Sequence, residues 1–260
     1  MGPREIIRLD VTESTNSVAL ALGREGAKAG TVVVAGEQTG GRGRLNRSWL
    51  SPPGMGLYFS VIMRPGIAPE HLPRITLAAG LAVCKAVETE YGIFPRIKWP
   101  NDLLLGGRKF GGILSETGPA HNIPAGQKPL VVVGVGLNIV PPAGGFPAEL
   151  RERATSLSSH GGREVSVETL LETCVVSIEK ELQRLEKGDF PATLEEWQRR
   201  DAGQGKVLTW VTEQGKAVTG VSLGPDADGA LRIQDQAGTI HTVLSGDIKL
   251  VGKIPNSINH

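Results

Sequence analysis

The spacing of apolar and polar positions divides the chain into two regimes that meet near Gly203. In the first, strand-like runs alternate with stretches of helical period. "IIRLDV" reads as a short strand. "ESTNSVALALGREG" then supplies Ser14, Thr15 or Asn16 as a cap before an apolar-periodic helix that stops near Gly26. "TVVVAGEQ" predicts a buried strand and "GLYFSVIMRP" another, since β-branched and aromatic residues suit a half-buried pleated surface. "APEHLPRITLAAGLAVCKAVETEYG" predicts a long helix with a wide apolar stripe, stopped at Gly92. "RIKWPNDLLLGGRKFGGILSE" predicts two strands joined by a tight turn at Gly106 and Gly107. "PLVVVGVGLNIV" is apolar on both faces, which predicts a central strand. Residues 166–187 predict a second long helix and "PATLEEWQRRD" a short one, while 119–129 and "VPPAGGFP" predict exposed loops.

Beyond Gly203 the helical period disappears. Short strands are broken by "QGK", "GPDADG", "QAG" and "SGD", the pattern of a small all-β module. The expected division is therefore a larger domain over 1–203 and a small β-barrel over 204–260.

Charge changes this picture little. Lys+Arg number 28 against 27 Asp+Glu, a formal net charge of +1, which argues against nucleic-acid binding by bulk positive charge. The two cysteines, Cys84 and Cys174, lie in apolar helical contexts and predict buried free thiols. "MGPREIIRLD" has no apolar signal core, and the longest apolar run is far short of the roughly 20 residues a membrane helix needs. A cytoplasmic protein with no membrane association is expected.

Four segments carry candidate chemistry. "GRGRLNRSW" follows the second strand but lacks the third glycine of a dinucleotide-binding turn, and no Gly-Lys-Ser/Thr makes it a phosphate-binding P-loop. If it is extended, Arg42 and Arg44 share one side, and their guanidinium forks suit carboxylate or phosphate oxygens. A solvated basic turn is the plain alternative. "KWPNDLLL" clusters Lys98, Asn101 and Asp102 at a strand end, either as a surface ion pair or as a Mg²⁺ and nucleotide contact set. "RKFGGILSE" places Lys109 beside Gly111 and Gly112. "VVVGVGLNI" puts Gly134, Gly136 and Asn138 on one face of its strand, where a helix or a ligand approaches closely. Arg, Lys, Asp and Asn beside glycine gaps in one domain are what a site holding several anions requires. Two like charges about 4 Å apart repel by roughly 4 kcal/mol at an effective dielectric of 20. An enzyme that joins a carboxylate to a nucleotide's α-phosphate must offset that repulsion.

In this order, "ESTN", "EQTGGRGRLNRSW", "KWPNDLLL", "RKFGGILSE", "VVVGVGLNI" and "RATSL" resemble the motifs of the biotin protein ligases, or biotin–[acetyl-CoA-carboxylase] ligases. The resemblance extends over the whole chain. It implies an α+β fold related to class II aminoacyl-tRNA synthetases, with a mixed, mainly antiparallel sheet flanked by helices and a C-terminal Src-homology-3-like barrel. It implies biotin, ATP and Mg²⁺ as substrates and cofactor, and two half-reactions. Biotin and MgATP give biotinyl-5′-AMP and pyrophosphate, and a lysine of a biotin carboxyl carrier domain then takes the biotinyl group and releases AMP. A homodimer is also implied.

Residue by residue, the resemblance makes Ser14, Thr15 and Gln38 polar contacts around the biotin ureido ring. It makes Gly41, Arg42 and Arg44 the loop over biotin and its adenylate, with Arg42 donating to carboxylate and phosphate oxygens. Lys109 would stand beside the biotin carboxylate and α-phosphate, with Gly112 and Gly134 as the biotin floor. Trp49, Asn101 and Asn138 would form the nucleotide pocket, with Trp49 stacking on adenine. Lys98 and Asp102 would lie near the phosphate, Asp102 either holding Mg²⁺ or accepting a hydrogen bond from the acceptor lysine. The family loop commonly has Gly where this chain has Asn46, and Asn tolerates the left-handed geometry. The motifs begin within the first few residues, so a DNA-reading module and DNA binding are not expected. A lipoate or octanoate ligase, which shares the fold, is the alternative enzyme.

Overall fold

The computed structural model describes residues 4–118, 128–161, 166–211, 217–244 and 248–250. Most of the loop expected at 119–129, and the turns expected at "QGK" and "SGD", lie outside the described residues. A seven-stranded sheet has the order β1-β2-β3-β7-β6-β5-β4. Its strands are β1 (Ile6–Thr12), β2 (Val32–Gln38), β3 (Gly56–Met63), β4 (Arg96–Lys98), β5 (Asp102–Leu105), β6 (Arg108–Thr117) and β7 (Val131–Asn138). Only β1 and β2 run parallel, so the sheet is mixed and mainly antiparallel as expected. The strand "VVVGVGLN" is indeed central.

The helices are α1 (Thr15–Arg24), α2 (Pro73–Tyr91), α3 (Ser158–Gly161), α4 (Val167–Glu186) and α5 (Phe190–Gln198). Ser14 is the N-cap residue of α1, and α2 ends at Gly92 with φ +64, a left-handed stop that suits glycine. Alternation in β7 divides the sheet's two sides. Val131, Val133, Val135 and Leu137 join the main core with α2 and α4, while Val132 packs with Ala19 of α1 on the other side. That other side also carries Gly134, packed against Asn16 at the start of α1, and Gly136, packed against Trp49. Cys84 and Cys174 are free and buried between the helices, and burial pushes both thiols up.

Two expectations are corrected. "RIKWPNDLLLGGRKFGGILSE" folds as three strands, not two. Pro100 has no N–H to give a ladder, so the strand ends there; the Trp99–Pro100 bond is cis, and Lys98 pairs across the turn with Asp102. The long helix begins at Pro73, after a separate 3₁₀ turn over Pro69–His71.

The C-terminal strands β8 (Val207–Val211), β9 (Ala217–Pro225), β10 (Leu231–Asp235), β11 (Ile240–Val243) and β12 (Ile248–Leu250) form an antiparallel sheet of order β11-β10-β9-β8-β12. It is not a bead on a string. Leu208, Trp210, Leu231, Ile233 and Ile248 belong to the same buried cluster as the large sheet's core. Ile97 of β4 bridges to Asp201, and Trp99 Nε1 donates to the Gly229 carbonyl at 2.9 Å.

Candidate functional site

Two cavities open on the glycine-bearing face of the large sheet. The smaller, about 150 Å³, brings together Ser14, Thr15, Gln38, Arg42, Arg44, Trp49, Lys98, Asn101, Asp102, Lys109, Gly112 and Gly134. The larger, about 910 Å³, adds Asn138 and shares Trp49, Lys98, Asp102 and Lys109 with the first. Gly41 lines neither. It sits one layer behind, its carbonyl accepting from Trp49 N at 2.8 Å, with no room for a Cβ beside the Trp49 carbonyl and Ser51 Oγ.

Strict alternation would set Lys109 and Gly112 on opposite faces of β6, because they are three residues apart. A register shift against β5 resolves this: Leu104 pairs with Lys109, but Leu103 pairs with Gly111. The extra residue, Phe110, turns fully buried into the main core. Lys109 and Gly112 are thereby both delivered to the cavity. The backbone of Lys109 is pinned as well, its N–H donating to Arg153 O at 2.7 Å and its carbonyl accepting from Thr155 N at 2.9 Å.

Lys109 Nζ lies 2.5 Å from Asp102 Oδ1 and 5.1 Å above the centroid of the Trp49 ring. Trp49 lies flat against the glycine floor. A Cβ on Gly136 would come within 2.5 Å of Trp49 Nε1, and among the described residues that buried indole N–H has no hydrogen-bond partner. The ring is thus part of the wall between the two cavities. Asn101 Nδ2 donates to Ile113 O at 2.9 Å, and Asn138 Nδ2 to Thr155 O at 3.0 Å. Both side chains are held by backbone, with their amide oxygens left for other partners or solvent.

A second polar group forms the far end of the smaller cavity. Thr15 donates to Gln38 Oε1 from its backbone at 2.9 Å and from its hydroxyl at 3.1 Å. Gln38 Nε2 donates to Ser51 Oγ at 2.9 Å. The fully buried Ser60 hydroxyl lies 2.8 Å from Thr15 Oγ1 and 2.6 Å from Asn16 Oδ1. Asn16 Nδ2 donates to Leu114 O at 3.2 Å and to Glu116 Oε2 at 2.7 Å. Such side chains hold one another in fixed orientations, as recognition of a small polar ring requires.

The loop after β2 does not run extended. Arg42 pairs with Ser48, and a 3₁₀ turn over Arg44–Asn46 reverses the chain, with Leu45 at φ +55 and Asn46 at φ +57. Arg44 sits with its Cζ 6.0 Å from the centroid of Trp99. Asn16, Ser60, Trp99, Gly136, Glu116 and Ile248 are site or site-supporting residues that motif reading did not assign. Gly136 and Asn16 carried a visible signal, as a face-sharing glycine and a helix-cap candidate. Glu116 and Ile248 carried none. Among the described residues no cluster of three His, Cys, Asp or Glu is placed to hold a metal, and no helix is long and apolar enough to cross a membrane.

Residues 9–138 match the model of the biotin/lipoate A/B protein ligase family. The bifunctional ligase/repressor BirA of Bacillus spizizenii is 35% identical over 247 residues, covering 95% of this chain and 74% of that protein. The biotin–[acetyl-CoA-carboxylase] ligase of Mycobacterium tuberculosis is 30% identical over 252 residues, covering 95% of this chain and 89% of that one. Among solved structures, the biotin protein ligase of Aquifex aeolicus in complex with biotin and ATP aligns with a TM-score of 0.79 at 29% identity. That alignment covers 96% of this chain and all of the other.

Proposed function

Because the chain belongs to the biotin/lipoate A/B protein ligase family, we propose that it is a biotin protein ligase, which adenylates biotin with ATP and passes the biotinyl group to a lysine of a carboxyl carrier domain. The observation that carries this reading is the wall shared by the two cavities. A chamber bounded by the Thr15, Asn16 and Gln38 network and a wider chamber bearing Asn138 meet at Lys109, Asp102 and Trp49. A carboxylate from one side and a phosphate from the other would meet beside the Lys109 ammonium.

In the first half-reaction a biotin carboxylate oxygen attacks the α-phosphorus of ATP and pyrophosphate leaves. Lys109 offsets the gathering negative charge, helped by Arg44 and Lys98 around the same chamber. Asp102 keeps Lys109 in place until the substrates arrive. Trp49 offers its face to adenine, with Asn101 and Asn138 beside it. Biotin lies over Gly112 and Gly134, its ureido ring against Ser14, Thr15 and Gln38, under the loop that contains Gly41, Arg42 and Arg44. In the second half-reaction the acceptor lysine's amine attacks the acyl carbon and AMP leaves. At a pKa near 10.4, on the order of one such amine in a thousand is neutral at pH 7, so an accepting carboxylate such as Asp102 favours the step.

Mg²⁺ suits a site of this kind, since it characteristically uses one or two carboxylates together with substrate phosphates and water. Asp102 would hold it, and the ion would supply charge neutralisation on the phosphates. The remaining features of the reading are a carrier domain of acetyl-CoA carboxylase or a related carboxylase as partner, a homodimer, a cytoplasmic location, and a catalytic stretch at 1–203 followed by a β-domain at 204–260.

The test is ATP–pyrophosphate exchange with biotin and with lipoate in parallel, followed by transfer to an apo carrier domain. Biotin-dependent exchange that Lys109→Ala slows at least a hundredfold is the expected result. Exchange driven by lipoate alone would move the chain to the other branch of its family.

A further inference from the structure

Arg42 lines the smaller cavity together with Lys109, but the two cations have different partners, Glu116 for Arg42 and Asp102 for Lys109. The Arg42 guanidinium is already engaged. Nη1 donates to Ser17 Oγ of α1 at 2.9 Å, and Nη2 donates to both carboxylate oxygens of Glu116 on β6, at 3.0 and 3.2 Å. One side chain of the loop is therefore tied to a helix and a strand on the far rim.

The tie is also the end of a longer chain of contacts. Glu116 accepts from Asn16; Asn16 meets Ser60; Ser60 meets Thr15; Thr15 donates to Gln38; Gln38 donates to Ser51. Ser51 Oγ in turn lies 3.3 Å from the Trp49 carbonyl, its acceptor. The path leaves the loop at Arg42, crosses the polar end of the cavity and returns to the loop at Trp49. Both ends of "RGRLNRSW" are thus fastened through a path that includes Thr15, Asn16 and Gln38 of the smaller cavity's lining.

We infer that Arg42 and Glu116 are a clasp that holds the loop shut over the cavity, with Glu116 the positioning residue, and that Arg42 acts on loop closure and not on the reacting phosphate. The ion pair is partly exposed, its side chains 40% and 30% accessible, so it adds little to the stability of the fold. Its leverage is local. The loop lifts from the rim only when these hydrogen bonds break, and a bound ligand escapes only when the loop lifts. The part of this inference that concerns ligand retention rests on the biotin ligase reading; the fastening itself does not.

The experiment uses Glu116→Gln, Arg42→Ala and the double variant. Glu116→Gln keeps an oxygen for Asn16 and removes the charge that holds Arg42. The first readout is tryptic cleavage after Arg44 or Arg47 in the ligand-free protein, with the cut site identified by mass. The second is the dissociation rate of biotinyl-adenylate formed in place from biotin and ATP. Each single variant is expected to speed both by about fivefold, in line with a partly exposed charge-assisted pair. The double variant is expected to match the singles, because one clasp breaks only once. The unfolding midpoint of Glu116→Gln stays close to that of the wild type, so faster cleavage after Arg44 or Arg47 reports the loop and not a general loss of structure. Loop cleavage unchanged in Glu116→Gln, or effects of the two substitutions that multiply, would overturn the clasp. If the wild-type protein shows no biotin-dependent exchange, the ligase reading fails, and the cleavage arm still decides the clasp by itself.

Discussion

Gly134 shows how a single missing side chain shapes the site. A Cβ there would collide with Asn16 Oδ1 and lie 2.8 Å from Asn16 Cγ. Asn16 has no room to yield, because it is buried and tied to Ser60, Leu114 and Glu116 at once. Overpacking at such a point costs about 1–3 kcal/mol. Gly134→Ala is therefore expected to raise the KM for biotin about tenfold or more, with the KM for ATP changed less than about threefold. Gly112 is the internal control. A Cβ there meets the Lys109 Cε and Nζ at 3.3 Å, the movable end of a long side chain, so Gly112→Ala disturbs biotin binding less. Steady-state exchange at varied biotin and varied ATP separates the two. Equal effects of the two alanines would show that Asn16 does not set the biotin end.

At the scale of the element, the loop between β2 and β3 bears two consecutive left-handed residues, Leu45 and Asn46. That geometry costs an ordinary side chain roughly 1–2 kcal/mol, and Asn less, because its short polar side chain bonds locally. Asn46 thus takes a conformation that glycine adopts without cost, and Asn46→Gly should leave the KM for biotin within about twofold. Asn46→Val, with a branched Cβ, should raise it about tenfold while the thermal midpoint barely moves, since the turn lies at the surface. A valine variant with the wild-type KM would mean that this turn is not the closed form that binds. The contrast also marks what was legible beforehand. Helices α2 and α4 and strands β2, β3 and β7 have long periodic runs and were readable; β4, three residues long, has no period to detect and was merged with β5. The motif residues were readable one segment at a time, but Glu116 was not. Nothing in its local spacing ties a strand carboxylate to an arginine 74 positions earlier, and only the folded sheet brings them together. The bulge at Phe110, which aligns Lys109 with Gly112, was hidden for the same reason: it follows from pairing with β5 and not from the strand's own pattern.

For the whole molecule, the question is how the small sheet is joined to the large one, and Asp201 sits at that joint. It bridges to Ile97 of β4, and its neighbour Ala202 donates to Ile97 O at 2.8 Å. The residue is 3% exposed; its Oδ1 accepts from Gly203 N at 2.7 Å, and among the described residues Oδ2 has no partner. Burial pushes its pKa above the ordinary 3.8, and the amides of Gly203 and Gln204 and the charges of Arg96 and Lys206 oppose this without cancelling it. The sign of the linkage follows. Well below the ordinary value Asp201 is protonated in both folded and unfolded chains and has no effect. As the pH rises, the unfolded chain releases its proton first, so this group lowers stability through the window up to its raised folded value, and the loss then stays constant. Asp201→Asn keeps an oxygen for Gly203 and has nothing to titrate. Its steric effect is the same at every pH, so it drops out of the trend. The unfolding free energy of Asp201→Asn minus that of the wild type, from urea titrations at steps from pH 3.5 to 7.5, should climb from about pH 4 and then level off. A difference that is flat or falls with pH would mean that Asp201 is ionised in the fold as easily as in water, and that the joint between the sheets holds a solvated charge.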